Sequence, residues 1–136
     1  FGSTYDYPYL SICTTGTHDM NPLRAWWEED RGVTQRFYNQ VLGAWGDAPY
    51  FCEPRICEQV VAMHLKSPAM LTVLPLQDWL AMDGELRREN PNDERINVPA
   101  NSRHYWRYRM HLSLEELLKA DNLNAMIRQK IAESGR

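Results

Sequence analysis

Two short polar motifs in the sequence carry residue types that act in catalysis and ligand binding. Thr17-His18-Asp19 follows a β-prone run that ends at Cys13, and Gln77-Asp78 follows an apolar run that ends at Leu74. In parallel α/β folds, acids, bases and ligand-binding groups stand at the carboxyl ends of strands. Polar side chains that face inward there need a partner or a substrate. A simpler interpretation also stays open, in which the His-Asp pair only caps the following helix.

Strands and helices must alternate along the chain to position these motifs. The predicted strands cover residues 9–13 and 70–74. The first predicted helical region begins at Asn21-Pro22, is interrupted and restarted at Gly32 to Thr34, and ends at Gly43. Two further helices are predicted from Pro54 to Leu65 and from Leu76 to Met82. The last two are predicted after the capping box Ser113-Leu114-Glu115-Glu116 and from Asp121 to Gly135. Residues 84–102 are predicted to be irregular. This order favours an α/β fold that is rich in helix and has few strands.

Two features of helix capping follow from the same pattern. Asn21 is expected to cap the first helix with Pro22 at its first position, where a missing N–H costs nothing. Asp121 is expected to cap the last helix in the same way.

Two strands cannot complete a sheet, because each needs neighbours on both sides. The sequence therefore predicts a piece of a larger structure.

Composition excludes several classes of protein. The chain has 136 residues, a formal net charge of −3 and 43% hydrophobic residues, which is typical of a globular protein and not of a disordered one. The apolar stretch at 69–76 is far too short to cross a membrane, and residues 1–4 do not resemble a secretory signal. Cys13, Cys52 and Cys57 lack zinc-site spacing, so we expect reduced, buried thiols in a cytoplasmic protein without a metal.

Four motifs occur together and in order: Thr17-His18-Asp19-Met20, Leu23-Arg24-Ala25-Trp26-Trp27-Glu28, Leu74-Pro75-Leu76-Gln77-Asp78 and Arg95-Ile96-Asn97-Val98-Pro99, followed by Tyr105-Trp106-Arg107. Together they resemble the carboxy-terminal part of amylomaltases, the 4-α-glucanotransferases of glycoside hydrolase family 77. The similarity covers about Tyr9 to Arg136. The chain departs from the family at Asn21-Pro22, where relatives commonly carry Ser-Thr or Pro-Thr, and at Ala100, where many have glycine.

The resemblance implies a (β/α)8 TIM barrel, of which the two predicted strands would be the last two. Residues 1–136 would then be the carboxy-terminal portion of the catalytic barrel, and the motifs of the nucleophilic Asp and the acid/base Glu do not occur in this sequence. The implied reaction is retaining transfer between α-1,4-glucans such as maltooligosaccharides, without a metal or organic cofactor. The isolated chain is expected to be inactive, and either to pair its bare strand edges with another copy or to depart from the parent fold.

The resemblance also assigns roles to the polar motifs. Asp19 matches the family's transition-state-stabilising aspartate, and His18 matches its substrate-binding neighbour. Gln77 and Asp78 match the strand-eight motif, and we expect them to support His18 and Asp19 by hydrogen bonds within the substrate-binding site, with a purely structural role as the alternative.

Two other functions can be drawn from the aromatic and basic residues. Residues 85–109 hold six Arg against four acids beside Tyr105 and Trp106, a pattern that could bind single-stranded RNA. The negative net charge and the absence of an RNA-binding motif disfavour nucleic acid. A non-catalytic glucan-binding module that stacks sugars on tryptophan stays open as the alternative, although it would not need the His18-Asp19 pair.

Overall fold

Six α-helices and one pair of short parallel strands make up the chain, and the computed structural model describes all of residues 1–136. In chain order the elements are β1 (Ile12–Cys13), α1 (Leu23–Glu29), α2 (Arg31–Gln40), α3 (Pro54–Leu65), β2 (Leu71–Thr72), α4 (Leu76–Leu80), α5 (Leu114–Leu118) and α6 (Asp121–Ser134). Single 3₁₀ turns stand at Thr4–Asp6 and Pro91–Glu94. The predicted alternation of strands and helices is confirmed. None of the helices combines the length and apolar character that a membrane span requires.

The two strands lie side by side and parallel, with Ile12 opposite Leu71 and Cys13 opposite Thr72. Regular pairing is shorter than the predicted runs, but backbone contact continues beyond it. The N–H of Met70 donates to the Tyr9 carbonyl at 2.7 Å. The ladder is short because a pair without further neighbours has little to hold its ends in register.

The hydrophobic core is helical and lies around α3. One face of α3 is apolar at helical spacing and packs against α4 and α6, with Trp27 of α1 fully buried on the same core. The buried α3 residues in this core are Ile56, Cys57, Val60, Val61 and Leu65. All three cysteines are buried and free, as expected from the sequence. The core therefore fixes α1, which follows the His-Asp motif, and α4, which carries Gln77 and Asp78.

The predicted cap of the first helix is wrong. α1 begins at Leu23, and Pro22 precedes it without a side-chain capping bond. The Leu23 N–H instead donates to Asp78 Oδ1 at 2.9 Å. Asn21 is engaged elsewhere, because its side-chain oxygen accepts a 2.8 Å hydrogen bond from Arg95 Nη1. The start of α1 is buried beside α4, so a carboxylate from α4 reaches it more directly than the side chain of Asn21.

Two further helix starts also differ from the prediction. The break after α1 falls at Asp30, whose carboxylate accepts from the Val33 N–H at 3.0 Å and caps α2. Thr34 is inside α2, where its hydroxyl donates to the Trp27 carbonyl at 2.6 Å. Asp121 is the first residue of α6 and makes no side-chain capping bond. A strong cap already present at Asp30 explains why α2 starts before Thr34.

The carboxy-terminal helices agree with the sequence pattern. The capping box predicted at Ser113 to Glu116 is present in both directions. α6 is followed by Gly135 at φ +79°, in the left-handed region that glycine adopts without strain. Arg136 then donates to the carbonyls of Leu65, Ser67 and Ala69 at 2.6–2.7 Å. This contact ties the end of the chain to the turn that leads into β2.

Candidate active site

His18 and Asp19 lie in the turn at residues 14–22, between β1 and α1. The Nε2 atom of His18 is 3.4 Å from Oδ1 of Asp19, and the two side chains are 57% and 50% exposed. The backbone N–H of Asp19 donates to the Thr17 hydroxyl at 3.3 Å. The pair therefore faces solvent next to the carboxyl end of β1, where the sequence predicted a functional site.

A buried asparagine from a distant segment holds the aspartate. Asn97 Nδ2 donates to Asp19 Oδ1 at 2.6 Å, and the Asn97 backbone N–H donates to the His18 carbonyl at 3.1 Å. Arg95 fixes this segment, because its Nε donates to the Asn97 carbonyl and its Nη1 to Asn21, both at 2.8 Å. The contacts to Asp19 use Oδ1, so Oδ2 of the half-exposed carboxylate is available to a ligand.

Gln77 and Asp78 do not hydrogen bond to His18 or Asp19, so the predicted direct support is wrong. Asp78 is buried at the start of α4, and its carboxylate accepts from the Thr15 hydroxyl and from the Leu23 N–H. Gln77 Nε2 donates to the Glu94 carbonyl at 3.1 Å. The two residues join α4 to both ends of the 14–22 turn and to residue 94. Their support is indirect, because they fix the segments that carry the site.

Burial and hydrogen bonding act in opposite directions on Asp78. Removal from water raises the pKa of its carboxyl above the usual value, while the bonds from Thr15 and Leu23 and the nearby His64 lower it. Burial of His64 holds the pKa of its imidazole below the usual value. The hydrogen bond to the Val60 carbonyl and the charge of Asp78 raise this pKa and so oppose the effect of burial.

A buried ion pair anchors the segment that carries Asn97. Arg24 Nη1 lies 2.9 Å from Glu94 Oε1, and both side chains are almost fully buried. Arg24 also donates to the carbonyls of Arg88 and Glu89 at 2.7 and 3.2 Å. Burial raises the pKa of the Glu94 carboxyl, and the Arg24 charge and hydrogen bond oppose this effect. Arg24 appeared in the sequence only as part of a motif, and nothing in the local pattern pointed to Glu94 as its partner.

The cleft behind the His-Asp pair is small. It has a volume of about 30 Å³ and is lined by the 16–22 turn, the start of α4 and residues 94 and 96. A cavity of this size holds one or two waters and not a sugar ring. A sugar ring bound by His18 and Asp19 would therefore lie outside this cleft.

An exposed aromatic ring stands next to the pair. The ring centroids of Trp106 and His18 are 5.4 Å apart, and those of Trp106 and His104 are 6.3 Å apart. His104 Nε2 is 2.9 Å from the Ile96 carbonyl, next to Asn97. The segment at residues 95–106 therefore brings an amide and an indole to one site.

The site offers carboxylate, imidazole and amide groups, which suit hydrogen bonding to a polyhydroxylated ligand. No three His, Cys, Asp or Glu side chains are grouped so that they could hold a metal ion.

Comparison with known proteins identifies the family. The profile of the glycoside hydrolase family 77, described as 4-alpha-glucanotransferase, matches residues 1–115. The chain belongs to this family, as its motifs indicated. The 4-alpha-glucanotransferase DPE2 of Oryza sativa subsp. japonica is 39% identical over 136 residues, which are 100% of this chain and 14% of the rice protein. A 4-alpha-glucanotransferase of Chlamydia caviae is 32% identical over 127 residues, covering 90% of this chain and 23% of that protein.

A solved structure shows the same fold in a larger protein. The amylomaltase from Streptococcus agalactiae in complex with acarbose superimposes with a TM-score of 0.71 at 21% identity, over 98% of this chain and 23% of that chain. The likeness confirms that the helix-rich arrangement with few strands occurs in an amylomaltase. The chain spans between 14% and 23% of the length of these three relatives.

Proposed function

We propose that this chain is the carboxy-terminal portion of the catalytic barrel of a 4-α-glucanotransferase and supplies the aspartate that stabilises the transition state. The observation that carries this proposal is the half-exposed Asp19 carboxylate, which Asn97 fixes with a 2.6 Å hydrogen bond. A group held in place before the reaction stabilises developing charge without reorganisation at the moment of reaction. Membership of the family supports the same role.

The chemistry is retaining transfer between α-1,4-glucans. A carboxylate nucleophile and a carboxylic acid/base, both from parts of the barrel outside this chain, break and re-form the glycosidic bond through a covalent intermediate. Asp19 accepts hydrogen bonds from sugar hydroxyls, and these bonds strengthen as the ring becomes oxocarbenium-like. His18, whose Nε2 is 3.4 Å from Asp19, binds a neighbouring hydroxyl. Removal of one such transition-state contact typically costs about 3–4 kcal/mol.

Gln77 and Asp78 serve this site as positioning residues of the substrate-binding turn. Asp78 connects α4 to Thr15 and to the first N–H of α1, so it fixes both flanks of the turn that carries Asp19. Gln77 connects α4 to the Glu94 carbonyl, three residues before Asn97. Both side chains are buried, so their effect on substrate passes through the segments they hold.

β1 and β2 are the last two strands of the barrel in this proposal. Their side chains support it, because Ile12 and Leu71 stand opposite each other and are both exposed. Adjoining parts of the barrel would cover this apolar pair, and in the isolated chain a second copy would do so. Three buried free thiols support a cytoplasmic location.

A non-catalytic glucan-binding module is the second candidate. The observation that favours it is the exposure of Trp106 beside polar groups, since sugars are bound by aromatic faces together with hydrogen-bonding side chains. Trp27 does not contribute, because it is fully buried in the core.

Maltotriose disproportionation tests the proposal. The complete enzyme should convert maltotriose to glucose and longer maltooligosaccharides, and the isolated 136-residue chain should not. Glucan transfer by the isolated chain would contradict the assignment of nucleophile and acid/base to other segments. Saturable maltooligosaccharide binding by the complete protein, without any transfer, would establish the binding module instead.

A further inference from the structure

We propose that Trp106 is a stacking platform for a glucose ring, adjacent to the ring that Asp19 holds. The inference rests on the proposed function and extends it with a binding subsite for the glucan chain. It depends on three observations: the exposure of the indole, its position relative to His18, and the bracing of its segment.

Trp106 presents much of its surface to solvent beside the polar groups of the site. The side chain is 59% exposed, whereas Trp27 is fully buried. Burial of an exposed indole next to polar groups is most favourable in free energy when the partner that covers it has an apolar face. A pyranose ring has such a face, formed by its C–H groups, with hydroxyls around its rim.

The position of Trp106 places this surface next to a residue that contacts the carboxylate. His18 lies near both, because its Nε2 is 3.4 Å from Asp19 Oδ1 and its ring centroid is 5.4 Å from that of Trp106. The indole and imidazole planes are tilted by 54°, so the indole is not stacked flat on His18. A sugar bound by Asp19 and His18 would therefore have its neighbour in the chain beside Trp106.

The segment that carries the indole is braced against the same turn as Asp19. Asn97 binds both the His18 carbonyl and the Asp19 carboxylate, and His104 contacts the Ile96 carbonyl at 2.9 Å. Trp106 packs near His104, with ring centroids 6.3 Å apart. A platform fixed in this way loses little conformational entropy on binding.

The local charge favours a neutral sugar over a nucleic-acid base. The half-exposed Asp19 carboxylate contacts His18, the neighbour of the indole, and would repel a phosphodiester bound there. Arg107 lies over the ring of Tyr105, with its guanidinium carbon 4.6 Å from the ring centroid. Because Arg107 stacks on Tyr105, its positive charge already has a partner within the chain.

Substitution of Trp106 in the complete enzyme tests the inference. We expect Trp106→Ala to raise the KM for maltoheptaose about 5- to 100-fold, on the scale of single aromatic stacking contacts, and Trp106→Phe to recover most of the loss. Trp45→Ala is the matched control, because Trp45 is 95% exposed on another loop and lines none of the clefts near Asp19. Its KM should equal that of the wild type.

Binding measured without turnover gives a second readout. Isothermal titration of maltoheptaose into Asp19→Asn and into Asp19→Asn/Trp106→Ala should show weaker binding by the double variant, by the same factor as the KM. If Trp106→Ala melts at a lower temperature than the wild type, Trp106→Leu takes its place in the titration, because leucine keeps apolar bulk without an aromatic face. Trp106→Leu should show the same loss of maltoheptaose affinity.

The outcomes separate this inference from the proposed function. An active wild type with unchanged KM and unchanged glucan affinity in the Trp106 variants would overturn the platform and leave the proposed function intact. A wild type that transfers no glucan would overturn the proposed function, and the titrations would still decide whether Trp106 binds sugar. Binding of a single-stranded oligonucleotide that requires Trp106, with no glucan binding, would overturn the platform.

Discussion

Asn97 donates a 2.6 Å hydrogen bond to the carboxylate of Asp19, although the two residues are 78 positions apart in the sequence. The backbone of the same asparagine binds the His18 carbonyl, so one residue fixes both members of the His-Asp pair. Arg95 fixes Asn97 in turn, because Arg95 Nε donates to the backbone carbonyl of Asn97. The orientation of the proposed transition-state-stabilising group therefore depends on a segment outside its own turn.

Replacement of Asn97 should reduce catalysis more than stability. We expect Asn97→Ala to lower kcat of the complete enzyme about 10- to 100-fold with a smaller change in KM, because a carboxylate that is free to rotate is no longer preorganised. Steady-state kinetics with maltotriose and the melting temperature are the measurements. Asn101→Ala is a suitable control, since Asn101 is exposed in the same segment and contacts neither His18 nor Asp19. Wild-type kcat in Asn97→Ala would contradict the positioning role.

Asp19 itself should be essential for turnover and dispensable for folding. Asp19→Asn keeps the shape of the side chain and removes its charge, so kcat of the complete enzyme should fall about 10²- to 10³-fold, as when other single transition-state contacts are lost. Circular dichroism and the melting temperature should stay close to the wild type, because the side chain is half exposed. Glucose release from maltotriose at the wild-type rate would remove Asp19 from the mechanism.

Local pattern predicted which segments form elements, because hydrophobic spacing and helix punctuation are local. α3 begins at Pro54 and ends at Leu65 as its apolar spacing indicates, and the Ser113 capping box is present. The polar motifs also fall next to the carboxyl ends of β1 and β2 as predicted. Family motifs singled out Asp19 and His18, and the structure brings these two together with Asn97 from the fourth motif.

Partners in distant segments could not be predicted, because nothing in the local spacing encodes them. Asp78 caps α1 from 55 positions away, which displaced the prediction that Asn21 would do so. Arg24 and Glu94 are 70 positions apart and become partners only when α1 and the Pro91–Glu94 turn pack together. The Asp78 contact overrides a reasonable local preference, and the Arg24–Glu94 pair is a tertiary contact for which the sequence offered no local signal.

The buried Arg24–Glu94 ion pair should be costly to break by removal of either partner alone. Arg24→Met leaves the buried Glu94 carboxylate without its cation and removes the donors to the Arg88 and Glu89 carbonyls, so we expect a loss of about 3–5 kcal/mol. Glu94→Leu alone should cost a similar amount. The double variant should lose less than the sum of the two, because no isolated charge is left buried. Denaturant unfolding of all four proteins measures the coupling, and strictly additive losses would contradict it.

His64 should make the stability of the fold depend on pH in the mildly acidic range. Burial holds its pKa below the usual value of 6.5, while the Val60 carbonyl at 2.8 Å and the Asp78 charge act in the opposite direction. Between pH 6.5 and the lower folded pKa, the unfolded chain binds a proton that the folded chain does not. The stability that the neutral imidazole provides is therefore complete above pH 6.5 and is lost as the pH falls through that window.

A comparison of the wild type with His64→Gln measures this effect together with the coupling of His64 to Asp78. Burial raises the pKa values of Asp78 and Glu94, so these two carboxyls stabilise the fold as the pH falls, and both proteins contain them. The free energy of unfolding of the wild type, measured by denaturant unfolding, should fall more steeply than that of His64→Gln between pH 7.5 and 5, with a slope difference of at most about 1.4 kcal/mol per pH unit for one proton. Parallel curves would show that His64 titrates alike in the folded and unfolded chain. A steeper curve for the variant would reverse the assigned sign.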